Sequence, residues 1–542
     1  MNLNKEIIHE TRIKCSNTIQ ITLDDDYNVP DSKADIDSII KEYGIVVHDD
    51  VKASKERAQV SGQLKFALLY IGARQTDGRH MPVKMTGEMP FSESINMSDV
   101  VDGGNCTCRA VIDDLTIKEI NSRKISVRAI ISLTVTCEEM QDIMAAVEVE
   151  QAGQGDNADS LSRNYPMVQV LTAPLSYTQV ALKIRDNLRI RSTVALPSDR
   201  PQIGEIIWED IDVRNMNTRL TDSGVTITGE LSIFLMYTPL DESMPVQWYD
   251  TVDTFEENLD VNGCSSELIG YIRHSPISTN VEVKPDYDGE NRDISVELVM
   301  NMDIKAYEEC EKNLIEDIYS PVCRLSLQRS DETLYQLLIH NNSKCRASGQ
   351  QPMNAHGGVL QICNCTGTVQ VDSMEVTKEG IIVDGAILAN VFYVSDDDRS
   401  PMGSMKAAIP FSEKIMVKLT KEQLPDVVYH VITGLDQLAA VMVGGGQIEI
   451  KGIVSVDILC FVKNVVSVIG DCEISDEIGQ IEAPAMIGYF SDGKSRMWDI
   501  AKKYHTTTEL IRSMNPAVTE QLTDASYVKR GEKLLLVRAA RK

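Results

Sequence analysis

The chain has 542 residues, of which 43% are hydrophobic, so by length alone we expect about three to five globular domains. Its 81 acidic and 53 basic side chains give a net charge of −28, which makes nucleic-acid phosphates and anionic membranes poor candidate partners. The first residues lack the apolar core of a secretory signal, and no apolar run reaches the length that spans a bilayer, so we expect the protein to stay where it is made.

The first predicted element is a segment led by a proline, VPDSKADIDSII at residues 29–40. It matches LPSDRPQIGEII at residues 196–207 position by position. We expect short helices after the two prolines, at residues 34–42 and 202–209. A third copy is eroded, and only Pro352 with the following GGVLQI marks its place.

A segment with a fixed glycine and tyrosine follows each lead-in and is predicted to be a strand: VSGQLKFALLY (60–70), ITGELSIFLMY (227–237) and VDGAILANVFY (383–393). Aromatic turns are expected downstream, at Phe91, Phe255 and Phe411. Each glycine predicts a close backbone approach, and each tyrosine is expected to close a core with its hydroxyl at the rim. Alternating strands come next, at residues 125–135, 294–304 and 448–458.

These marks indicate three divergent copies of a unit of roughly 160 residues. Valine, isoleucine and threonine alternate with polar residues, which predicts antiparallel sheets with one solvated face. We therefore expect a mainly β fold with three β-sandwich or barrel-like repeats, at residues 1–150, 164–330 and 331–475. Flexible linkers are expected at residues 151–163 and 475–484.

Metal and catalytic motifs are weak throughout the chain. The C-x-C pairs at residues 106–108 and 363–365 lie in different repeats, so we expect buried thiols rather than a zinc site, and the twelve cysteines are predicted to be reduced. Acidic runs at residues 24–26 and 396–398 lack the spacing of a calcium loop and are predicted to be solvated turns. No nucleophile elbow is present. The chain is therefore expected not to be an enzyme and to need no cofactor.

Residues 488–495, GYFSDGKS, satisfy the pattern of a phosphate-binding loop. The preceding IEAPAMI contains a proline and few β-branched residues, and only 47 residues follow Ser495, so the strand and sheet of a nucleotide-binding domain are missing. Instead, the spacing predicts a helix over MWDIAKKY with Ser495 as its N-cap. A second helix should begin at Thr506 and end before Pro516, and a strand should follow at residues 533–537.

This tail carries a different charge from the rest of the chain. Residues 481–542 contain 11 basic and 7 acidic side chains, a net charge of +4, which leaves −32 for the first 480 residues. The opposite charges predict a domain boundary, and they also allow an intramolecular contact between tail and body.

The tail resembles a LysM module through WDIAKKY, TTTELIRSMNP and VKRGEKLLLV, and we assign residues 484–542 to it. The resemblance implies a small βααβ domain that binds N-acetylglucosamine glycans or a protein through the loops before the first helix and after the second. In the first loop this chain reads GKSRM where the family usually has GDTL. The candidate binding residues are Lys494, Ser495, Arg496, Met497, Asn515 and Pro516.

The body resembles the SPOCS (DUF3794) repeats of bacterial sporulation proteins, in which such repeats precede a LysM module. The resemblance to clostridial spore-coat morphogenetic proteins implies a non-enzymatic scaffold, which we picture as an elongated acidic platform. It would act in the mother-cell cytoplasm at the forespore surface and bind the ATPase of the coat basement layer through its LysM module. The alternative is a protein that binds peptidoglycan through LysM. Neither hypothesis involves nucleic acid or membrane insertion.

Overall fold

The structure is a computed structural model that describes residues 2–73, 81–150, 167–241, 243–353, 358–397, 401–444, 446–477 and 485–539. Nearly all of the described body is β-strand, which confirms the mainly β prediction. The predicted linker at residues 151–163 lies outside the described residues. The last strand of the body runs on to Glu477, into the second predicted linker, and residues 478–484 lie outside the description.

Each repeat is built from six principal strands. The first repeat contains, besides a short β3 (Lys52–Ser54), the strands β1 (Leu3–Asn28), β2 (Ile36–His48), β4 (Arg57–Gly72), β5 (Pro82–Asn96), β6 (Cys106–Asn121) and β7 (Lys124–Val149). The second contains β8 (Gln169–Ala195), β9 (Ile203–Thr221), β10 (Gly224–Pro239), β11 (Gln247–Asp260), β12 (Ile269–Pro285) and β13 (Asn291–Tyr319). The third contains β14 (Cys323–Pro352), β15 (Val359–Thr377), β16 (Gly380–Ser395), β17 (Met402–Met416), β18 (Val427–Gly444) and β19 (Gln447–Glu477), with a 3-10 helix at Leu424–Asp426.

The three repeats share one antiparallel topology. In one sheet the last strand lies between the first and the fifth, and in the other the third strand lies between the second and the fourth. Buried side chains from both sheets form one core per repeat, as the sandwich prediction requires. The strand pairing divides the second repeat from the third between Tyr319 and Cys323, earlier than the predicted division at residues 330 and 331.

The predicted helices at residues 34–42 and 202–209 are wrong, because the chain forms strands β2 and β9 there. Each lead-in proline begins a turn instead. The N–H of Lys33 donates to the Pro30 carbonyl (2.9 Å), and the N–H of Arg200 donates to the Pro197 carbonyl (3.0 Å). The backbone then pairs with β4 or β10, which satisfies the hydrogen bonds that a helix would otherwise supply.

The predicted aromatic turns are also strands, because Phe91, Phe255 and Phe411 lie inside β5, β11 and β17. Pro90 precedes Phe91 within β5, where a proline is tolerated because β5 is an edge strand. The prediction of reduced cysteines is wrong at one place, since Cys106 and Cys137 on neighbouring strands form a disulfide. The pair at residues 363–365 remains as buried thiols.

The repeats pack against one another rather than end to end. One buried cluster combines Leu69 of the first repeat, Trp208 and Phe234 of the second, and Phe392 of the third. Polar contacts follow the same pattern, since Asp210 accepts bonds from Lys41 (2.7 Å) and from the Asn364 amide (2.9 Å), which belong to the other two repeats. The expected elongated platform is therefore wrong, because each repeat contacts both others and the three form a compact trio.

The tail module, residues 485–539, has the order β20 (Met486–Phe490), α1 (Met497–Lys503), α2 (Thr508–Met514), α3 (Pro516–Thr519) and β21 (Lys533–Val537). The predicted order of strands and helices is present, with an additional helical turn after Pro516. The predicted start of the first helix at Met497 is confirmed, but both N-caps lie one residue later than predicted. Arg496 rather than Ser495 caps α1, and Thr507 rather than Thr506 caps α2, where its hydroxyl accepts the N–H of Leu510. The two strands are antiparallel, unlike the parallel strand of a nucleotide-binding loop.

Candidate functional site

The loop between β20 and α1, residues 491–496, is termed the entry loop. The Ser491 hydroxyl donates to the Val528 carbonyl (2.8 Å) and accepts the N–H of Gly493, while the Asp492 carboxylate accepts the N–H of Lys494 (2.8 Å). Gly493 has φ of +81°, a conformation that side chains rarely adopt. These hydrogen bonds and Gly493 therefore form a tight turn directly before α1.

The entry loop lies against the second half of the loop at residues 515–528, which is termed the facing loop. The N–H of Val528 donates to the Ser495 carbonyl (3.2 Å), and Met497 donates to Ser526 (2.9 Å). Arg496 and Tyr527 form an isolated antiparallel bridge. The first predicted loop thus meets residues 526–528, further along the facing loop than the predicted Asn515 and Pro516.

The six predicted binding residues have different environments. Lys494 and Pro516 are exposed, Ser495 and Asn515 are half-buried, and Met497 is completely buried in the core of the module. Asn515 serves the fold, because its side chain exchanges two hydrogen bonds with the backbone of Leu535 on β21 (2.7 and 2.9 Å). Of this set, Lys494 and Pro516 are the residues whose side chains most freely reach solvent.

Arg496, the sixth predicted residue, joins the tail to the body. Its guanidinium donates to Glu316 of β13 (2.5 Å) and to Asp499 of its own helix (3.1 Å). These two carboxylates raise the pKa of the Arg496 guanidinium, and their hydrogen bonds are the largest cause. The intramolecular contact that the opposite charges allowed is therefore present in the structure.

Trp498 and Tyr319 form the apolar part of the same junction. Their rings meet edge to face with centroids 4.7 Å apart, and the Tyr319 hydroxyl donates to the Thr506 carbonyl (2.9 Å). Leu171 of β8 joins the same buried cluster. The second repeat thus completes the core of the tail module.

Asp317 is the polar centre of the junction. Its buried carboxylate accepts the indole N–H of Trp498 (2.8 Å) and the ammonium of Lys502 (2.6 Å), and it pairs with Arg329 of the third repeat (2.7 Å). Burial by itself would raise the pKa of Asp317, but the bonds from Lys502 and Trp498 and the charge of Arg329 outweigh it and hold the pKa below its ordinary value. One carboxylate therefore ties together the tail and two repeats.

The opposite charges of tail and body allowed a contact between them, but no motif indicated which residues form this junction. Asp317 and Trp498 are 181 positions apart, and their segments belong to units that the repeat pattern treats as separate. The predictions for the tail itself were better, because the helix expected over MWDIAKKY is present, with Trp498 and Ile500 buried.

Metal-binding clusters and membrane-spanning helices are both absent from the part of the chain that the structure describes. There, no group of three histidine, cysteine or acidic side chains is arranged to hold a metal ion. Of the helices in those residues, none has the length and apolarity to cross a membrane.

The comparisons with known proteins identify the repeats. The family model "SipL, SPOCS domain" matches residues 35–120, 202–298 and 358–432, one match in each sandwich. Neither the curated proteins nor the solved structures contain a match to this chain. The tail module lies outside the three matches. The three matches are spaced at the period of the repeats and show that each sandwich is similar to the SPOCS domain.

Proposed function

We propose that this protein is a non-enzymatic morphogenetic scaffold of spore coat assembly and that its tail module docks a coat protein at the forespore surface. The three SPOCS matches support the sporulation role. The docking role is carried by one observation: the tail module packs on the second repeat and still leaves Lys494 and Pro516 exposed. A module held in this way presents a fixed surface, which lowers the entropy lost when a partner binds.

The proposed partner is the ATPase of the coat basement layer, in the mother-cell cytoplasm. The resemblance of the tail to LysM modules supports a recognition role for its loops. The module is mildly basic and the body strongly acidic, so an acidic partner surface would meet attraction at the tail and repulsion elsewhere. This contrast favours docking through the tail in one orientation.

Deletion of residues 485–542 in sporulating cells tests the proposal. We expect the truncated protein to lose its localisation around the forespore, whereas a full-length Glu520→Gln control, changed at an exposed tail position, keeps it. Because the deletion uncovers Leu171 and Tyr319, circular dichroism and melting must show that the body remains folded. Unchanged localisation of a folded truncated protein would rule out the docking role.

A second candidate function, glycan binding, is favoured by Tyr527. This residue is 60% exposed beside the entry loop, and an aromatic face at such a place can stack on a sugar. Retention of the full-length protein on insoluble peptidoglycan, and loss of retention in Tyr527→Ala, would support this function. Failure of the wild-type protein to bind would favour the protein partner.

A further inference from the structure

A cavity of about 400 Å³ lies where the three repeats meet. Strands β1 and β7 of the first repeat, β8 and β13 of the second, and β14, β18 and β19 of the third contribute to its wall. The volume is within the usual range for small-molecule sites. Because all three repeats form the wall, the cavity exists only in the assembled trio.

Glu10 of β1 lines this cavity and is the unusual group in it. Its side chain is 6% exposed, and its Oε1 atom has no hydrogen-bond partner among the described residues. Burial raises the pKa of Glu10 to about 8, although backbone N–H groups of Tyr335 and Thr11 act in the opposite direction. A buried acceptor without a donor is costly, so the site lacks a group that would donate to it.

The other buried charges of the cavity are already paired. Glu138 binds Lys183 at 2.5 Å and Lys305 at 3.2 Å, and all three side chains are largely buried. Burial, together with the charge of Lys305, lowers the pKa of His430 to about 4, so this ring is neutral near pH 7. Glu10 is therefore the buried carboxyl of the cavity that has spare capacity for a ligand.

Aromatic rings form one side of the cavity. Phe461 lies with its ring centroid 5.1 Å from that of Tyr307 and 5.8 Å from that of His430. The faces of such rings attract organic cations, and their apolar bodies pack on alkyl groups. A buried carboxyl group and aromatic rings in the wall of one cavity are a combination that recognises an ammonium group with an attached carbon chain.

We propose that this cavity binds a small organic ammonium ion, with Glu10 as its ion-pairing group and with Phe461 and Tyr307 against its alkyl portion. The ammonium N–H groups supply the donors that Oε1 lacks. Since the cavity joins the three repeats, a bound ligand stabilises their association.

Binding is expected to depend on pH. Without an ion pair, Glu10 is largely protonated below its pKa of about 8. An ammonium ion that pairs with Glu10 must therefore displace a proton, and its affinity rises with pH up to that value. The charged and titratable groups that face the cavity from the surrounding strands are Arg12 on β1, Glu138 on β7, Lys305 and Tyr307 on β13, Glu332 and Tyr335 on β14, His430 on β18 and Lys463 on β19.

Isothermal titration of the full-length protein with three probes of equal size tests the proposal: propylammonium, propionate and 1-propanol. We expect propylammonium to bind and to release a proton at pH 7, and Glu10→Gln to weaken binding about tenfold or more. The matched control is Glu139→Gln, an exposed neighbour of Glu138 paired with Lys14 at the surface, which should bind as the wild type does.

A second variant, Phe461→Leu, keeps an apolar side chain and removes the ring. It should also weaken the binding of propylammonium, and a melting curve checks that the variant is folded. The proposal is overturned if propylammonium does not bind, if Glu10→Gln binds it as well as the wild type, or if propionate or 1-propanol binds at least as tightly.

Discussion

Phe91 lies directly opposite Gly62 on the neighbouring strand, and its ring covers the glycine. The same register joins Gly229 to Phe255 and Gly385 to Phe411. A Cβ atom on Gly62 would come within 2.9 Å of the Phe91 ring and 2.5 Å of a carbonyl of β2. The glycine and the aromatic residue, which the sequence presents as two separate repeat marks, are therefore one cross-strand unit.

Gly62→Ala should destabilise the protein, because neither the ring nor the β2 backbone can move away without cost. We expect a loss of about 1–3 kcal/mol in unfolding free energy. The matched control is Gly470→Ala, where the nearest atom to the added Cβ is 3.9 Å away, and which should be neutral or slightly stabilising. Urea denaturation of both variants measures this, and equal stabilities would contradict the steric explanation.

The repeat pattern predicted the strands well because side chains alternate along a half-buried strand. It failed at the lead-ins, where the short apolar runs of residues 36–40 and 203–207 suit either a helix or a strand. Pairing decided the outcome: the Tyr70 hydroxyl donates to Ala34 (2.8 Å) and the Tyr237 hydroxyl to Pro201 (3.1 Å), which holds both lead-ins extended on the sheet. Contacts between repeats, and between tail and body, depend on surfaces that no local pattern encodes.

Asp317→Asn should loosen the tail from the body. The change removes the charge that Lys502 and Arg329 neutralise, and because both cations are partly exposed, we expect a cost of about 1–3 kcal/mol. Hydrogen exchange of the tail amides should be faster in Asp317→Asn than in the control variant Asp331→Asn, which changes an exposed aspartate of β14. Equal exchange in the two variants would show that Asp317 does not hold the junction.

The same carboxylate predicts a response to acid. Because the folded state lowers the pKa of Asp317 below its ordinary value of 3.8, its contribution is complete above that value and is lost as the pH falls through the lowered pKa. The difference in melting temperature between wild type and Asp317→Asn should therefore be constant from pH 7 to about pH 5 and shrink below about pH 4. A difference that grows in acid would contradict this sign.

Arg496→Ala is expected to weaken binding of the partner by roughly 1–2 kcal/mol while the protein stays folded, since arginine side chains are frequent interface hot spots. Glu316→Gln is the informative companion, because it breaks the same ion pair from the body side. Equal losses in both variants would mean that Arg496 positions the module, and a loss confined to Arg496→Ala would mean direct contact. Unchanged affinity in Arg496→Ala would exclude the entry loop as the docking surface.

The first strand of every sandwich, β1, β8 or β14, lies outside the residues that match the SPOCS domain. Each nevertheless pairs along almost its whole length with the last strand of its own repeat. A fragment trimmed to residues 202–298 would keep only the start of β13 and leave it without β8, exposing a row of unpaired N–H and C=O groups of the kind that drives aggregation. A soluble single repeat should instead begin at Leu3, Gln169 or Cys323.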